Sequence, residues 1–451
     1  MERTLASPHF AAEDTTGIRR LPGINASFLR VFTNWPVWTI ADQGIASIGN
    51  FLSGIILGRH LPQSSYGAYA LLLESMLFLN SLQAALVTSP MSIRGASHDR
   101  QQLRKLSSAA LGMTLALLPA LGLAMTSAVF FGADLGDGSR GMVVLAASAV
   151  TAMLLWQMQE TTRRALMAEL RFAACVPGDA LSYLGQVALL AWMAQSGRLT
   201  LPWAFVIIGS TSAVGVVVQA MQIGVARIGL REATEIARDF WKLGRWTVSA
   251  NLAMVVTTVG YSWTLKFSHG LKATAAFAAM IVPLKLANPL LLGIGNLLVP
   301  AVAKVANRDG VRATTRTVGR YGLLGGAATF SYYALLFAFP AGALKLVFGA
   351  HSPFISQASS LRFYLLTMCV CYVEMVLLAW LHGLGDTRAG FLTRIVQAGV
   401  SILVSLPAIV FFGIRGLIAG EFLSMTLGAV LAIILLRRVL SAGADTRSRA
   451  S

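Results

Sequence analysis

Residues 36–90 decide the fold; they read PVWTIADQGIASIGNFLSGIILGRHLPQSSYGAYALLLESMLFLNSLQAALVTSP. The stretch holds two apolar segments, each long enough for a membrane-spanning helix of about 20 residues, joined by a short turn. On a helical wheel, one half of the first segment holds Asp42, Gln43, Ala46, Ser47, Gly49, Asn50, Ser53 and Gly54. Ionisable and amide groups inside a bilayer are costly, so they usually face a bundle interior or a wet cavity. The segment is therefore predicted to have one lipid side and one working side.

The composition extends this prediction to the whole chain. Of 451 residues, 56% are hydrophobic and only 12% are charged, about half the charged fraction of a typical soluble protein. The three cysteines lie in apolar segments, and neither they nor the six histidines have the spacing of a metal site. No cofactor or bound metal is predicted.

Segments of membrane-spanning length recur twelve times along the sequence. They are predicted near 36–58, 66–90, 106–131, 141–158, 173–196, 201–223, 246–268, 274–301, 320–340, 359–382, 390–413 and 416–436. The predicted fold class is all-α, a polytopic membrane protein of about 12 transmembrane helices in two six-helix lobes. The predicted organisation is a tail (1–35), an N-lobe (36–223), a linker (224–245), a C-lobe (246–436) and a second tail (437–451).

The net charge of +17 is distributed in a way that indicates orientation. Most of the 36 lysines and arginines fall in the two tails or in the loops after even-numbered spans. Positively charged loops stay on the cytoplasmic side, so both termini are predicted to be cytoplasmic. The charge then matches anionic lipids of the inner leaflet, and nucleic acid is excluded as a partner. The 224–245 linker has the charge pattern of an amphipathic helix at that surface.

A faint internal repeat relates the two halves of the chain. Trp38-Thr39 opens the first span, and Trp246-Thr247 opens the seventh, 208 residues later. At the same offset, Gly67-Ala68-Tyr69 matches Ala275-Ala276-Phe277. Two lobes related by pseudo-two-fold symmetry around a central site are typical of alternating-access transporters.

Several ionisable residues lie within the predicted spans and are candidates for a substrate or ion pathway. Glu74 shares one face of the second span with Ser81 and Thr88, so it is expected to line the same cavity as Asp42. Lys285 lies mid-span between Pro283 and Pro289, where prolines disrupt regular helix hydrogen bonding. Glu374 in span ten is a further candidate. Glu421, near the start of span twelve, is expected to have a structural role, and Asp179 is expected to pair with Arg171 or Arg164. For Asp42 and Glu74 a purely structural role in helix packing stays equally open, and for Lys285 the alternative is snorkelling to an interface.

The opening stretch resembles the first two spans of bacterial polysaccharide exporters of the multidrug/oligosaccharidyl-lipid/polysaccharide (MOP) superfamily. The resemblance is carried by Asp42-Gln43 before Ser47, Asn50 and Phe51, then by Arg59 and the Tyr66-Gly67 pair. HGLGDTRAGFLTRI, at 382–395, resembles the family's turn between spans ten and eleven. These motifs favour the O-antigen and exopolysaccharide branch of the superfamily.

The resemblance implies a flippase of the bacterial inner membrane that moves undecaprenyl-pyrophosphate-linked oligosaccharide, driven by H⁺ or Na⁺, and does no covalent chemistry. It implies a lipid-linked oligosaccharide, the bilayer and other polysaccharide assembly proteins as partners. By their depth and helix face, Asp42, Gln43, Asn50 and Glu74 are expected to line the cavity in the N-lobe and Lys285 in the C-lobe. Lys285 would contact phosphate or an anionic sugar, and Asp42 or Glu74 would carry the coupling ion. The alternatives are a cation-coupled multidrug exporter of the same superfamily, or a membrane sugar polymerase or ligase, which the short outer loops disfavour.

Overall fold

The computed structural model describes residues 35–95, 100–133, 138–224, 226–257 and 259–448, and all regular structure in them is helical. The N-terminal half forms six helices that pack on one another. They are α1 (Trp35–His60), α2 (Gln63–Gly95), α3 (Arg100–Gly132), α4 (Gly138–Ala168), α5 (Phe172–Gln195) and α6 (Leu201–Ala220). A core of small and large apolar residues joins α2, α3, α4 and α6.

The C-terminal half repeats this arrangement with one extra short helix. Its helices are α7 (Leu230–Thr257 with 259–269), α8 (271–309), α9 (Thr314–Ala338), α10 (Pro340–Phe348), α11 (Ala358–Gly383), α12 (387–412) and α13 (414–448). The short α10 is bent from α9 by 88°. Asp386 begins α12 by accepting a hydrogen bond from the Ala389 backbone N–H (3.2 Å), after Gly385 has turned the chain at φ 86°. This is the turn within the 382–395 motif.

Two glycines set the number of spans in this half. Val259–Asp309 is a 51-residue apolar helical stretch, roughly 75 Å at 1.5 Å per residue, whereas the hydrocarbon core is about 30 Å thick. Gly270 (φ 80°) divides it, and Gly413 (φ 59°) divides the last stretch in the same way. Both glycines have a positive φ, a backbone conformation that favours glycine because glycine lacks a Cβ.

The predicted fold class is confirmed. Eight helices of the described residues are long and apolar enough to cross a membrane, or nine if α9 and α10 are one broken span. Dividing the last stretch at Gly413 and counting α1 and α7, with 26 and 28 residues in their continuous parts, gives twelve. The helices overrun several predicted limits: α4 continues to Ala168 and α13 continues to 448.

The two ends of the bundle differ in charge, and we name them accordingly. The basic end is where α2, α4, α6 and α8 finish, and the far end is where α1, α3 and α5 finish. At the far end the lobes are in close contact. The Arg59 guanidinium of α1 donates to the carbonyls of Leu346 and Val347 at the end of α10, both at 2.6 Å. The Tyr66 ring packs against Phe348 and Phe354, with centroids 6.2 and 5.6 Å away.

The predicted amphipathic linker is the first part of α7, and it is fastened to the N-lobe at the basic end. Asp239 accepts two hydrogen bonds from Arg94, both at 2.6 Å. Lys105 forms a salt bridge with Glu232 at 2.8 Å. The helix then continues without a break into the seventh span, so the predicted boundary at residue 245 falls inside a helix.

The internal repeat is visible in local helix geometry. The fifth helix of each half contains one wide π-helical turn, Ala180–Leu184 in α5 and Ser401–Ser405 in α12. Such turns are rare and frequently mark functional sites. The matched positions support the predicted pseudo-symmetry more directly than the sequence offset does.

Candidate functional site

Three of the predicted site residues meet in one cavity between the lobes, which we call cavity A. Asn50 of α1, Glu74 of α2 and Lys285 of α8 all line its volume of about 290 Å³. The remaining walls come from α4, α5 and α6. The polar and aromatic lining also includes Ser47, Tyr66, Tyr69, Trp156, Ser182, Tyr183, Gln186, Ser212 and Asn288. The cavity thus combines aromatic faces, amides and hydroxyls with one cation.

A second space, cavity B, adjoins the first and shares Glu74 with it. Its volume is about 390 Å³, and its walls come from α2, α7, α8, α11 and α13. Glu421 of α13 faces this cavity, where its Oε1 accepts a hydrogen bond from the Tyr364 hydroxyl at 3.2 Å. The sequence indicated a structural role for Glu421, because the residue lies near a span end. The signal that could have found it is an acidic residue on an otherwise apolar span.

Local backbone geometry presents Lys285 to cavity A. Val282–Ala287 is a 3₁₀ helix between two α-helical parts of α8, with Pro283 inside it and Pro289 just beyond it. The Pro283 carbonyl accepts a hydrogen bond from the Tyr332 hydroxyl at 2.7 Å. The Lys285 side chain is exposed to the cavity and forms no salt bridge with a described residue. Its ammonium group is therefore accessible from cavity A.

Asp42 lies outside both cavities, in a buried ionic cluster of the N-lobe. Its carboxylate pairs with the Arg163 guanidinium, and the side chain is fully buried. The same guanidinium contacts Asp179 Oδ2 through Nε (2.7 Å) and Glu160 Oε2 (3.2 Å). Glu160 also pairs with Arg164 at 2.8 Å. Three helices, α1, α4 and α5, are therefore joined by one buried arginine.

The cluster corrects two expectations from the sequence. Arg163 was expected in a charged loop after the fourth span, but α4 continues past it and the residue is only 5% exposed. Asp179 was expected to pair with Arg164 or Arg171, but its partner is Arg163. The fourth span was predicted too short because it was ended where the apolar residues end. A buried arginine does not extend an apolar pattern.

The cluster also contains buried acceptors without a donor. Asp42 Oδ1 and Asp179 Oδ2 are buried and have no hydrogen-bond partner among the described residues, although Asp179 Oδ2 keeps its ion pair with Arg163. Asp179 Oδ1, by contrast, accepts hydrogen bonds from Gln159 (3.2 Å) and Gln219 (2.9 Å). Three carboxylates face two guanidiniums, which leaves one formal negative charge. A proton or a monovalent cation would neutralise that charge, because an uncompensated buried charge is costly.

Glu374 lies inside the C-lobe and lines neither cavity. Both of its carboxylate oxygens accept a hydrogen bond from Gln397 Nε2 of α12, at 3.0 Å. The residue is 3% exposed. The N-lobe has an equivalent contact between Gln159 of α4 and Asp179 of α5. In the C-lobe the two groups are exchanged, with the carboxylate of Glu374 on α11 and the amide of Gln397 on α12. In each half the pair lies beside the π-helical turn.

The predicted polar face of α1 divides between two environments. Ser47, Asn50 and Gly54 line cavity A, whereas Ser53 packs on α5 and accepts a hydrogen bond from Gln186 at 2.8 Å. Gln43 is exposed and lines neither cavity. Within the described parts of the chain, no group of three or more His, Cys, Asp and Glu side chains is placed to hold a metal ion.

Comparison with solved structures identifies this architecture. A multidrug resistance MATE family transporter of the MOP superfamily, in an inward-facing conformation, superposes with a TM-score of 0.74 at 15% identity, covering 90% of this chain and 99% of that one. An outward-facing MATE structure gives 0.60 at 16% identity over 90% and 94%. The lipid II flippase MurJ, inward closed, gives 0.67 at 10% identity over 89% and 87%.

The chain shares the fold of these MATE and MurJ structures. No protein-family model and no curated protein matches the sequence, so the fold is established by structure alone. Among MOP folds, the overlap is larger with the inward-facing structure than with the outward-facing one, in keeping with the closed far end described above.

Proposed function

We propose that this protein is a flippase that moves undecaprenyl-pyrophosphate-linked oligosaccharide across the bacterial inner membrane by ion-coupled alternating access. The observation that carries the proposal is cavity A, where Asn50, Glu74 and Lys285 meet between the lobes. A sugar ring has C–H faces that pack on aromatic side chains and hydroxyls that hydrogen-bond to amides. Cavity A offers both kinds of surface, and binding sites typically combine apolar walls with a few placed polar groups.

Lys285 is the proposed contact for phosphate or an anionic sugar. Its ammonium group has three donors and no acceptor, and no described carboxylate pairs with it. Asp42 and Glu74 are the proposed carriers of the coupling ion, H⁺ or Na⁺. For Asp42 the support is the excess negative charge of the Arg163 cluster and the unpartnered Oδ1.

Gene deletion in the native bacterium tests the transport role. We expect lipid-linked oligosaccharide to accumulate on the inner leaflet while surface polysaccharide is lost. Chemical labelling of the oligosaccharide in intact and in permeabilised spheroplasts distinguishes the two leaflets. Normal surface polysaccharide in the deletion strain would disprove the proposal.

Complementation of the deletion strain tests the site. Lys285→Ala is expected to abolish export while the protein stays in the membrane at its normal level, because the phosphate contact is lost. Lys345→Ala, on the exposed surface of α10, removes the same group outside the cavities and should restore export fully. Normal export by Lys285→Ala would remove Lys285 from the mechanism.

A cation-coupled multidrug exporter is the second candidate. It is favoured by the two carboxylates of cavity B, Glu74 and Glu421, which would attract a cationic drug. The same deletion strain separates the candidates. Greater drug sensitivity with unchanged surface polysaccharide would establish the exporter in place of the flippase.

A further inference from the structure

We propose that Glu74 and Glu421 form a bridging site that holds one monovalent cation between the lobes and thereby stabilises the state with a closed far end. The inference deepens the proposed function, on which its role in transport rests, by naming a coupling site separate from Asp42. The ligand class is a proton or a sodium ion, since both neutralise one carboxylate charge.

The placement of the two carboxylates supports the site. Glu74 belongs to α2 of the N-lobe and Glu421 to α13 of the C-lobe, and both face cavity B. Both carboxylates therefore line one shared space of about 390 Å³. Glu74 Oε2 is buried and has no hydrogen-bond partner among the described residues. A buried acceptor without a donor is expensive to maintain, so this oxygen points to a ligand.

The charges around Glu74 and Glu421 set the number of cations that the site would hold. Lys285 of α8 lines cavity A together with Glu74, and in the absence of substrate one lysine against two carboxylates leaves one negative charge. The other titratable groups facing the pair are the neutral hydroxyls of Tyr364 from α11 and Tyr261 from α7. One added monovalent cation therefore balances the cavity. The Tyr364 hydroxyl donates a hydrogen bond to Glu421 Oε1 and holds that carboxylate in place, and Ser262 lines the same cavity as Glu74.

Cation binding would change the balance between conformations, because Glu74 and Glu421 lie on helices of opposite lobes. Without a cation, two carboxylates on opposite lobes repel one another and oppose the approach of α2 to α13. With a cation between them the repulsion becomes attraction, which favours the arrangement seen here. The same α2 carries Tyr66 and Gly67 at its far end, where it meets the C-lobe. Cation release would favour separation of the lobes at that end.

Distance measurement between the lobes tests the inference without any transport substrate. Spin labels at Arg198→Cys and His351→Cys, both exposed residues of far-end loops, report the separation across the far end. The background carries Cys369→Ser and Cys371→Ser, because these cysteines are partly accessible. The full-length protein is placed in liposomes and titrated with NaCl against choline chloride at fixed pH, then with pH in choline chloride alone.

We expect Na⁺ or acid to shift the population toward the shorter distance. Glu74→Gln and Glu421→Gln should each lose this cation-dependent shift, whichever cation causes it. Glu169→Gln changes a buried carboxylate in the turn just after α4 and should keep the full shift. Circular dichroism and size-exclusion profiles confirm that each variant is folded.

Two outcomes would overturn the inference. One is a cation-dependent shift that persists in both glutamine variants. The other is a shift lost only in Asp42→Asn, which would assign the coupling to the N-lobe cluster. Neither outcome affects the flippase proposal, which is decided by the cellular assay of lipid-linked oligosaccharide.

Discussion

Arg163 joins three helices of the N-lobe. Its guanidinium is about 6% exposed and contacts carboxylates from three helices. Removing one member of a buried ion pair leaves an uncompensated charge and typically costs about 3–5 kcal/mol. The Asp42–Arg163 pair is 121 residues apart in sequence, so the spacing of residues in a single sequence could not predict it.

Arg163→Gln is expected to destabilise the protein by about 3–5 kcal/mol, measured as thermal unfolding of the detergent-purified protein. The double variant Asp42→Asn with Arg163→Gln should lose less than the sum of the single losses, because its members interact. The control is Glu235→Gln, whose partner Arg231 is 95% exposed; exposed pairs contribute only about 0–1 kcal/mol. Equal effects of Arg163→Gln and Glu235→Gln would contradict this expectation.

For the helices, sequence patterns predicted where the spans lie better than they predicted which polar residues line a cavity. Apolar length predicted twelve spans because the bilayer imposes that length on every helix. The polar face of α1 was also predicted, but its division between cavity A and the packing on α5 depends on which helix lies opposite each residue. Glu374 shows the same limit, since depth in a span does not distinguish a cavity from a packed contact with Gln397.

The Tyr66-Gly67 pair, noticed first as a family motif, has a structural explanation. A Cβ on Gly67 would lie about 3.0 Å from the Leu271 carbonyl carbon and 3.1 Å from the Ala275 nitrogen. These are backbone atoms of α8, which cannot move aside as a side chain can. Glycine at this position therefore allows α2 and α8 to approach closely across the lobe boundary.

Gly67→Ala is expected to force α2 and α8 apart and to shift the protein toward an open far end. The measurement is the distance between spin labels at Arg198→Cys and His351→Cys, which should lengthen. Gly44→Ala in α1 is the matched control, because nothing lies within 4 Å of the added Cβ, and it should leave the distance unchanged. A distance unaffected by Gly67→Ala would show that the close approach does not hold this end closed.

At the scale of the whole molecule, two six-helix lobes meet at the far end and enclose cavities A and B between them. The sequence repeat predicted the lobes, but it could not show which conformation the chain adopts. That choice depends on contacts between distant residues, such as Arg59 with the end of α10, 287 and 288 residues away. The proposed alternating-access mechanism requires these contacts to break during each transport cycle.

Cross-linking the far end is therefore expected to stop transport. Gln63 Nε2 lies 3.5 Å from the Lys272 carbonyl oxygen, joining α2 to α8 across the lobes. A short bis-maleimide linking Gln63→Cys to Lys272→Cys, in the Cys369→Ser and Cys371→Ser background, should trap the closed far end and abolish export of surface polysaccharide. Arg231→Cys with Glu235→Cys places the same cross-link within one helix and should leave export unchanged. Continued export by the cross-linked α2–α8 pair would mean that the lobes do not separate at this end, and the substrate would then need another route out of the cavity.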